Sequence, residues 1–201
     1  MKLSIPNRIL LLLTAFLAAY QVAVGVDKLS IIPVITYTIG FGTLLVACLM
    51  LIILGYDALE SSAVAIISTM IPLGLSVGLV WEYYPNLRTT YIYFSILGFL
   101  MISLSRILFM TKLSNLILTF THGIAGILIL VLPISAVLKE LVLPIFLWVS
   151  IGGGLIGVGG SLLYLLKSGN SLIPKLAILK IFPVFLLLAT IAFVIGFTVY
   201  K

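Results

Sequence analysis

The sequence predicts an all-α integral membrane protein, a bundle of about seven transmembrane helices joined by short loops. The first observation is composition: of 201 residues, 63% are hydrophobic and 8% are charged, whereas soluble domains carry roughly 25% charged residues. The second is a mean hydropathy of +1.41. A soluble fold of this length cannot hide so much apolar side chain, because the buried fraction grows slowly with chain length. We therefore expect lipid to be the solvent.

The third observation is the spacing of the apolar stretches. Crossing about 30 Å of hydrocarbon takes about 20 helical residues. Seven stretches reach that length, near residues 8–26, 31–56, 61–84, 90–110, 114–138, 142–166 and 174–200. The short breaks between them hold most of the charged and turn-forming residues, and such links make consecutive helices antiparallel neighbours. We expect one transmembrane helical domain over residues 1–201.

The first span has an alternative interpretation as a signal peptide. Lys2 and Arg8 precede an apolar run, and Ala23, Val24 and Gly25 supply small residues where a cleavage site would lie. The run extends over about 18 residues, which is longer than the usual apolar region of a signal peptide. We therefore expect a retained first helix.

Three later spans contain a proline. Because proline has no N–H, it leaves the carbonyl four residues earlier without its usual helical partner. Pro72, Pro133 and Pro183 free the carbonyls of Ser68, Ile129 and Leu179. We expect neighbouring Ser or Thr hydroxyls to satisfy these carbonyls, so that the kinks serve only packing. The alternative is that the freed backbone faces a hydrated cavity.

The basic residues predict the orientation, because cytoplasmic loops are enriched in Lys and Arg. With a cytoplasmic N-terminus, the cytoplasmic side holds Lys2, Arg8, Arg106, Lys112, Lys167, Lys175 and Lys180, and the other side holds Lys28, Arg88, Lys139 and Lys201. This excess predicts a cytoplasmic N-terminus and a C-terminus on the opposite side. Arg106 lies near the end of the fourth span, and we expect it to be an interfacial anchor that reaches the headgroups.

Residue types argue against several functional classes. The net charge of +6 is scattered along the chain, which does not suit nucleic acid, so the lipid bilayer is the expected partner. Cys48 is the single cysteine and His122 the single histidine, too few for a haem or a metal site. No carboxylate shares the depth of His122, so a nucleophile would lack its base and orienting acid. We expect no cofactor, no metal and no enzymatic activity.

The glycine-rich stretch at residues 150–161 reads SIGGGLIGVGGS and contains the G-x-G-x-x-G pattern. A dinucleotide-binding loop with that pattern follows a strand and opens a helix, whereas this one lies in the middle of a span. We interpret Gly153, Gly157 and Ser161 as a helix-packing face of the small-xxx-small type. A helix of this chain is the expected neighbour. The alternatives are another membrane subunit, a second copy of the chain, and a bound lipid or cofactor.

Polar residues recur at one depth in the spans, and burying an ionisable group in lipid is costly enough to make it a functional candidate. Thr69, Ser103, His122 and Lys180 all lie about six to eight residues from the predicted cytoplasmic ends of their helices. We interpret these four residues as a candidate polar pocket. The alternative is that the hydroxyls bond the backbone of their own helices, so that the shared depth has no function.

Two functions remain open on the sequence alone. The lack of catalytic groups, the short loops and the glycine-rich sixth span favour a non-catalytic subunit or scaffold of a larger membrane complex. The candidate polar pocket beside proline-containing helices favours the alternative, a small permease or channel for a neutral or weakly polar solute. All five acids lie at or near span ends, which argues against proton-coupled transport.

Overall fold

The structure of the protein, a computed structural model, describes residues 3–26, 28–108, 111–168 and 174–200. Of these residues 91% are helical, and none forms a strand. The α-helices are α1 (Ile5–Val24), α2 (Ile31–Leu54), α3 (Ser62–Ser68), α4 (Met70–Tyr83), α5 (Arg88–Ile107), α6 (Thr111–Leu138), α7 (Leu147–Ser168) and α8 (Lys175–Gly196). Short 3₁₀ helices cover Gly55–Glu60, Pro85–Leu87, Pro144–Phe146 and Phe197–Tyr200.

Seven helical segments are long and apolar enough to cross a membrane within the part of the chain that the structure describes. They are Ile5–Val24, Ile31–Glu60, Ser62–Tyr83, Pro85–Ile107, Leu113–Leu138, Pro144–Leu165 and Lys175–Tyr200. The prediction of an all-α bundle with seven spans is confirmed. Some predicted features lie outside the described residues. They are parts of two breaks, at residues 27 and 169–170, and the end of the fourth span at residues 109–110.

The first helix begins three residues before the predicted position. The Ser4 side chain accepts a hydrogen bond from the Asn7 backbone N–H, and Pro6 occupies the first helical turn. Serine before a helix satisfies one of its free N–H groups, and proline is tolerated in the first turn because its missing N–H has no partner there. This capping signal sets the start of α1, which hydropathy alone places too late.

The third span is the only one of the seven divided into two α-helices among the described residues, with the division at Thr69 between α3 and α4. Pro72 lies in the first turn of α4 and cannot donate to the Ser68 carbonyl. Pro133 and Pro183, by contrast, lie inside the continuous helices α6 and α8. A proline therefore divides a helix at one of the three predicted positions.

Helix α4 occupies the centre of the bundle. Its span is the most buried of the seven, with 61% of its apolar stretch buried inside the protein. Helix α4 packs against α2, α5 and α6. Helix α8 packs against α1 and α7, and α1 packs against α2. The start of α1 and the end of α2 meet the start of α8 at what we term the N-terminal end of the bundle. The opposite, C-terminal end holds the 3₁₀ helix Phe197–Tyr200.

Glycine permits the closest helix contact in the centre. A methyl group added at Gly74 of α4 would lie 2.5 Å from the Thr36 carbonyl oxygen and 3.1 Å from the Gly40 backbone nitrogen of α2. Backbones that close leave no room for a β-carbon, so these glycines set the distance between α2 and α4.

We predict that Gly74→Ala lowers the free energy of unfolding by about 1–3 kcal/mol, because the added methyl group must push two backbones apart. Gly42→Ala is the matched control on α2, since a methyl group there meets no heavy atom within 4 Å. Thermal unfolding of the two variants in the same detergent measures the difference. Equal losses of stability would contradict the close α2–α4 contact.

Candidate functional site

Three of the four residues of the predicted polar pocket lie in one group of helices, and the fourth lies elsewhere in the bundle. Thr69 is fully buried at the α3–α4 junction, while Ser103 of α5 and His122 of α6 are partly buried. These helices belong to one group, because α5 packs against both α3 and α6. Lys180 is exposed on α8, whose main neighbours are α1 and α7. The structure thus does not bring Lys180 to the other three residues.

Each of the other three side chains bonds a carbonyl of its own helix. The Thr69 hydroxyl donates to Ala65 at 2.9 Å and the Ser103 hydroxyl donates to Phe99 at 2.8 Å. His122 Nδ1 lies 3.1 Å from the Leu118 carbonyl oxygen, which assigns the ring proton to Nδ1 and leaves Nε2 available. Back-bonding of this kind satisfies a polar side chain without any neighbouring helix. The polar pocket stays a prediction.

The predicted packing face of α7 is divided between a packed and an open part. A methyl group added at Gly153 would lie 2.8 Å from Ile129 Cγ2 and 3.2 Å from the Leu130 nitrogen, so Gly153 packs closely on α6. A methyl group at Gly157 would meet no heavy atom within 4 Å, and both Gly157 and Ser161 are exposed. Among the described residues, Gly153 therefore has a close neighbour on α6, whereas Gly157 has none and Ser161 is exposed.

Helices α6 and α7 separate on the N-terminal side of this contact. Gly126 is one helical turn from Ile129 on α6, and Gly157 is one turn from Gly153 on α7. The two glycines therefore lie at about the same level of the antiparallel pair. Neither glycine would meet a heavy atom within 4 Å if a methyl group were added. Packed helices lie about 8–10 Å apart, a distance at which facing β-carbons touch their neighbours, so the two helices diverge here.

The space between the diverging helices is what we term the α6–α7 crevice, and polar residues line it. Its α6 wall holds Asn115, Thr119, His122 and Gly126, whose spacing of four, three and four residues places them on one face of the helix. Its α7 wall holds Gly157 and Ser161. From the close contact at Gly153 and Ile129, antiparallel counting puts Gly160 level with His122 and Ser161 one residue further along.

The polar groups of the crevice already have partners but stay accessible. Asn115, Thr119 and Ser161 are exposed. The Thr119 hydroxyl donates to the Asn115 carbonyl at 2.8 Å, and the Ser161 hydroxyl donates to the Gly157 carbonyl at 2.9 Å. Arg106 Nη2 donates to Asn115 Oδ1 at 2.8 Å. Hydroxyls and amides can accept a further hydrogen bond from outside, so the crevice offers polar contacts to a group that enters from the lipid.

Sequence reasoning found His122, Gly157 and Ser161 but missed Asn115, Thr119 and Gly126. The missed signal is the helical spacing of these residues with His122, which is visible in the sequence. Arg106 lies at the end of α5 and contacts the crevice through Asn115, so its role as a headgroup anchor stays a prediction. The described residues contain no group of three or more His, Cys, Asp or Glu able to hold a metal ion.

A second polar cluster lies at the N-terminal end and satisfies a freed carbonyl. The Tyr56 hydroxyl donates to the Leu179 carbonyl at 2.6 Å. The Asn7 amide donates to the Tyr56 oxygen and, at 3.5 Å, to the same carbonyl. Pro183 leaves that carbonyl without its helical donor. The freed Leu179 carbonyl is therefore satisfied, but by a tyrosine and an asparagine distant in sequence and not by a neighbouring Ser or Thr hydroxyl, as we expected.

We predict that Tyr56→Phe lowers the free energy of unfolding by about 1–3 kcal/mol, because it leaves the buried Leu179 carbonyl without its short hydrogen bond. Pro183→Ala restores a backbone N–H to that carbonyl, so the double variant should lose less than Tyr56→Phe alone. A double-mutant cycle by thermal unfolding measures this coupling, with the exposed Tyr93→Phe as the control. Simple additivity would argue against the assigned interaction.

Comparison with known proteins gives no relative from which a function could be carried over. No family model, no curated protein and no solved structure matches the chain. A function therefore has to be inferred from the geometry of this chain, above all from the α6–α7 crevice.

Proposed function

We propose that the protein is a non-catalytic subunit of a larger membrane complex and that a transmembrane helix of a partner subunit packs into the α6–α7 crevice. The observation that carries this proposal is the pair of glycines at one level of α6 and α7, Gly126 and Gly157, with no neighbour within 4 Å of an added methyl group. Small residues let a further helix approach closely, and in lipid that approach is a main source of helix association.

The polar residues of the crevice support a helix over a lipid chain as the occupant. Thr119 and His122 lie inside the span that begins at Leu113, where an acyl chain offers no hydrogen bond. Ser, Thr, Asn and His are the side chains that hydrogen-bond between membrane helices. A partner helix that carries polar residues would use His122 Nε2 and the exposed Thr119 and Ser161 hydroxyls, which lipid leaves unused.

Glycine content supports the same proposal. A glycine in the interior of a helix costs about 1 kcal/mol relative to alanine in soluble peptides. Close packing explains why glycine occupies positions 152 and 153, because added methyl groups would lie 2.7 Å from Phe193 and 2.8 Å from Ile129. Five other glycines have no such reason among the described residues, namely Gly42, Gly123, Gly126, Gly157 and Gly160. Four of the five lie on α6 and α7, where a close partner helix would supply one, and the fifth, Gly42, lies on α2.

The permease alternative receives less support from the geometry. Thr69 is fully buried at the α3–α4 junction, and Lys180 lies on the outside of α8, away from the other three residues of the predicted pocket. We also propose no enzymatic activity and no cofactor, as the residue types of the chain predict. We further propose that the N-terminal end of the bundle is cytoplasmic, as the distribution of Lys and Arg predicts. The crevice then opens in the cytoplasmic leaflet.

We predict that Gly157→Leu reduces the amount of co-purified partner subunit to below about a tenth of wild type, because the added side chain fills the crevice. This corresponds to at least about 1.4 kcal/mol of binding free energy. Native mass spectrometry after gentle extraction measures the stoichiometry. Gly42→Leu is the matched control, since Gly42 on α2 also has open space around its missing side chain. Neither variant should change the thermal stability of the isolated chain.

A photo-crosslinking residue in place of Ser161 tests the position of the partner directly. We expect it to capture one membrane protein in stoichiometric yield, and the same residue in place of Gly42 to capture none. A wild-type protein that is only monomeric after gentle extraction would refute the proposal. Crosslinks solely to a second copy of this chain would replace the complex subunit with a homo-oligomer.

A further inference from the structure

A shallow groove lies between α2 and α3 on the outside of the bundle, and we term it the α2–α3 groove. Its volume is about 360 Å³, which is within the range of small-molecule sites in proteins. A methyl group added at Gly42 would meet no heavy atom within 4 Å, so this glycine leaves the groove open. The residues that line the groove are Thr38, Ile39, Gly42, Thr43 and Val46 of α2 and Ile67 of α3.

The α2–α3 groove lies where the close packing of α2 on the third span ends. A methyl group added at Gly40 of α2 would lie 3.4 Å from the carbonyl oxygen of Ile71 in α4. On the other side of Thr69, α2 packs only slightly on α3. Ile67 is one helical turn from Ile71 and is the residue of α3 that borders the groove. The groove therefore adjoins the division of the third span at Thr69.

Two hydroxyls of the groove, those of Thr38 and Thr43, have no hydrogen-bond partner among the described residues. The Thr43 side chain is only 9% exposed. Other buried threonines of the bundle donate to the carbonyl four residues earlier, as Thr14, Thr69 and Thr190 do at 2.8, 2.9 and 2.7 Å. Lipid offers no hydrogen bond, and an unpaired buried hydroxyl costs stability. The two hydroxyls therefore suit an acceptor from outside the chain.

The depth of Thr43 limits the molecules that can supply this acceptor. Helix α2 covers Ile31–Leu54, so at about 1.5 Å per residue Thr43 lies about 18 Å from its start and about 16 Å from its end. This position is near the middle of a hydrocarbon core of about 30 Å. The phosphate and ester oxygens of phospholipids lie at the surfaces of that core, as does the hydroxyl of a sterol. The acceptor has to belong to a molecule that dissolves in the hydrocarbon itself.

We propose that the α2–α3 groove binds the ring of a lipid-soluble quinone. Such a ring is planar and apolar, it carries two carbonyl oxygens that accept hydrogen bonds, and its apolar tail keeps it in the hydrocarbon. The Thr43 hydroxyl donates to one carbonyl oxygen. Thr38 lies about 7.5 Å away along the helix axis and is the donor to the opposite one. Ile39, Val46 and Ile67 supply the apolar contacts.

The quinone is a ligand that exchanges with the lipid and not a resident cofactor. None of the six lining residues is ionisable, so the groove binds the quinone without changing its protonation. The site lies on α2 and α3, away from the α6–α7 crevice, and therefore adds to the proposed role as a subunit without depending on it.

Binding of a tritiated decyl-substituted benzoquinone to the full-length protein in lipid nanodiscs tests this site. Empty nanodiscs correct for the probe that dissolves in the lipid. We expect saturable binding of one quinone per chain. The unlabelled quinone should displace the probe, whereas decylbenzene, which has a ring and a tail but no carbonyl oxygen, should require at least a tenfold higher concentration.

Thr43→Val removes the hydroxyl at nearly constant shape and should weaken quinone binding at least tenfold. Because this hydroxyl is unpaired in the free protein, the variant should keep or raise the unfolding temperature. Thr190→Val is the matched control, since the Thr190 hydroxyl bonds the Leu186 carbonyl on α8, and it should leave the affinity unchanged. Gly42→Leu fills the groove and should abolish binding.

Two leucine variants separate this proposal from that of the partner helix. Gly42→Leu should lose the quinone and keep the partner subunit, and Gly157→Leu should do the reverse. Absence of saturable binding above that of empty nanodiscs would overturn the quinone site. Equal displacement by decylbenzene, or unchanged affinity in both Thr43→Val and Gly42→Leu, would overturn it as well. None of these results bears on the partner subunit.

Discussion

The absence of hydrogen-bond partners in lipid is the constraint on which the rest of this structure depends. Every backbone and side-chain polar group inside the spans has to find its partner within the protein. Helices satisfy the backbone, and hydroxyls such as those of Thr14, Thr69 and Ser103 donate to the carbonyl four residues earlier. Where Pro183 removes a backbone donor, the distant Tyr56 and Asn7 side chains replace it. The bundle is thus assembled as much by pairing of polar groups as by apolar packing.

The same constraint gives meaning to the places where pairing or packing is incomplete. The α6–α7 crevice exposes a polar face of α6, and Gly126 and Gly157 on its two walls have no close neighbour. The phenol oxygens of Tyr37, Tyr83 and Tyr200 are buried without partners among the described residues. Water would supply missing contacts in a soluble protein, but lipid offers no hydrogen bond. The length of the crevice and its lining along one helical face support the proposal that a helix fills it.

Hydropathy predicts the number of spans and their approximate limits because crossing the membrane depends on length and apolar character alone. The position of Pro183 also predicts that the Leu179 carbonyl loses its helical donor. Counting from the end of the fifth span predicts the depth of His122 in the membrane. The sequence does not show which helices are neighbours, and the neighbouring helices decide which contacts each residue makes. Lys180 shares the depth of His122 but lies on the outside of α8. Tyr56 and Leu179 are 123 residues apart in the chain and yet bonded, a pairing that no local pattern indicates.

The position of the crevice follows from where the close contacts of α6 and α7 lie. Toward the C-terminal end, Gly153 packs on Ile129, and Tyr84 bonds Ser135, so α6 is held there by both α7 and α4. Helix α7 stays close to α8 further along, where a methyl group added at Gly159 would lie 3.5 Å from Phe185. The first half of α6 packs on α5 instead, where a methyl group added at Gly98 would lie 3.0 Å from Thr121 Cγ2. Because α7 follows α8 while this half of α6 follows α5, the two helices separate toward the N-terminal end. The crevice is therefore a consequence of two well-packed helix pairs that diverge, and its glycines leave it open.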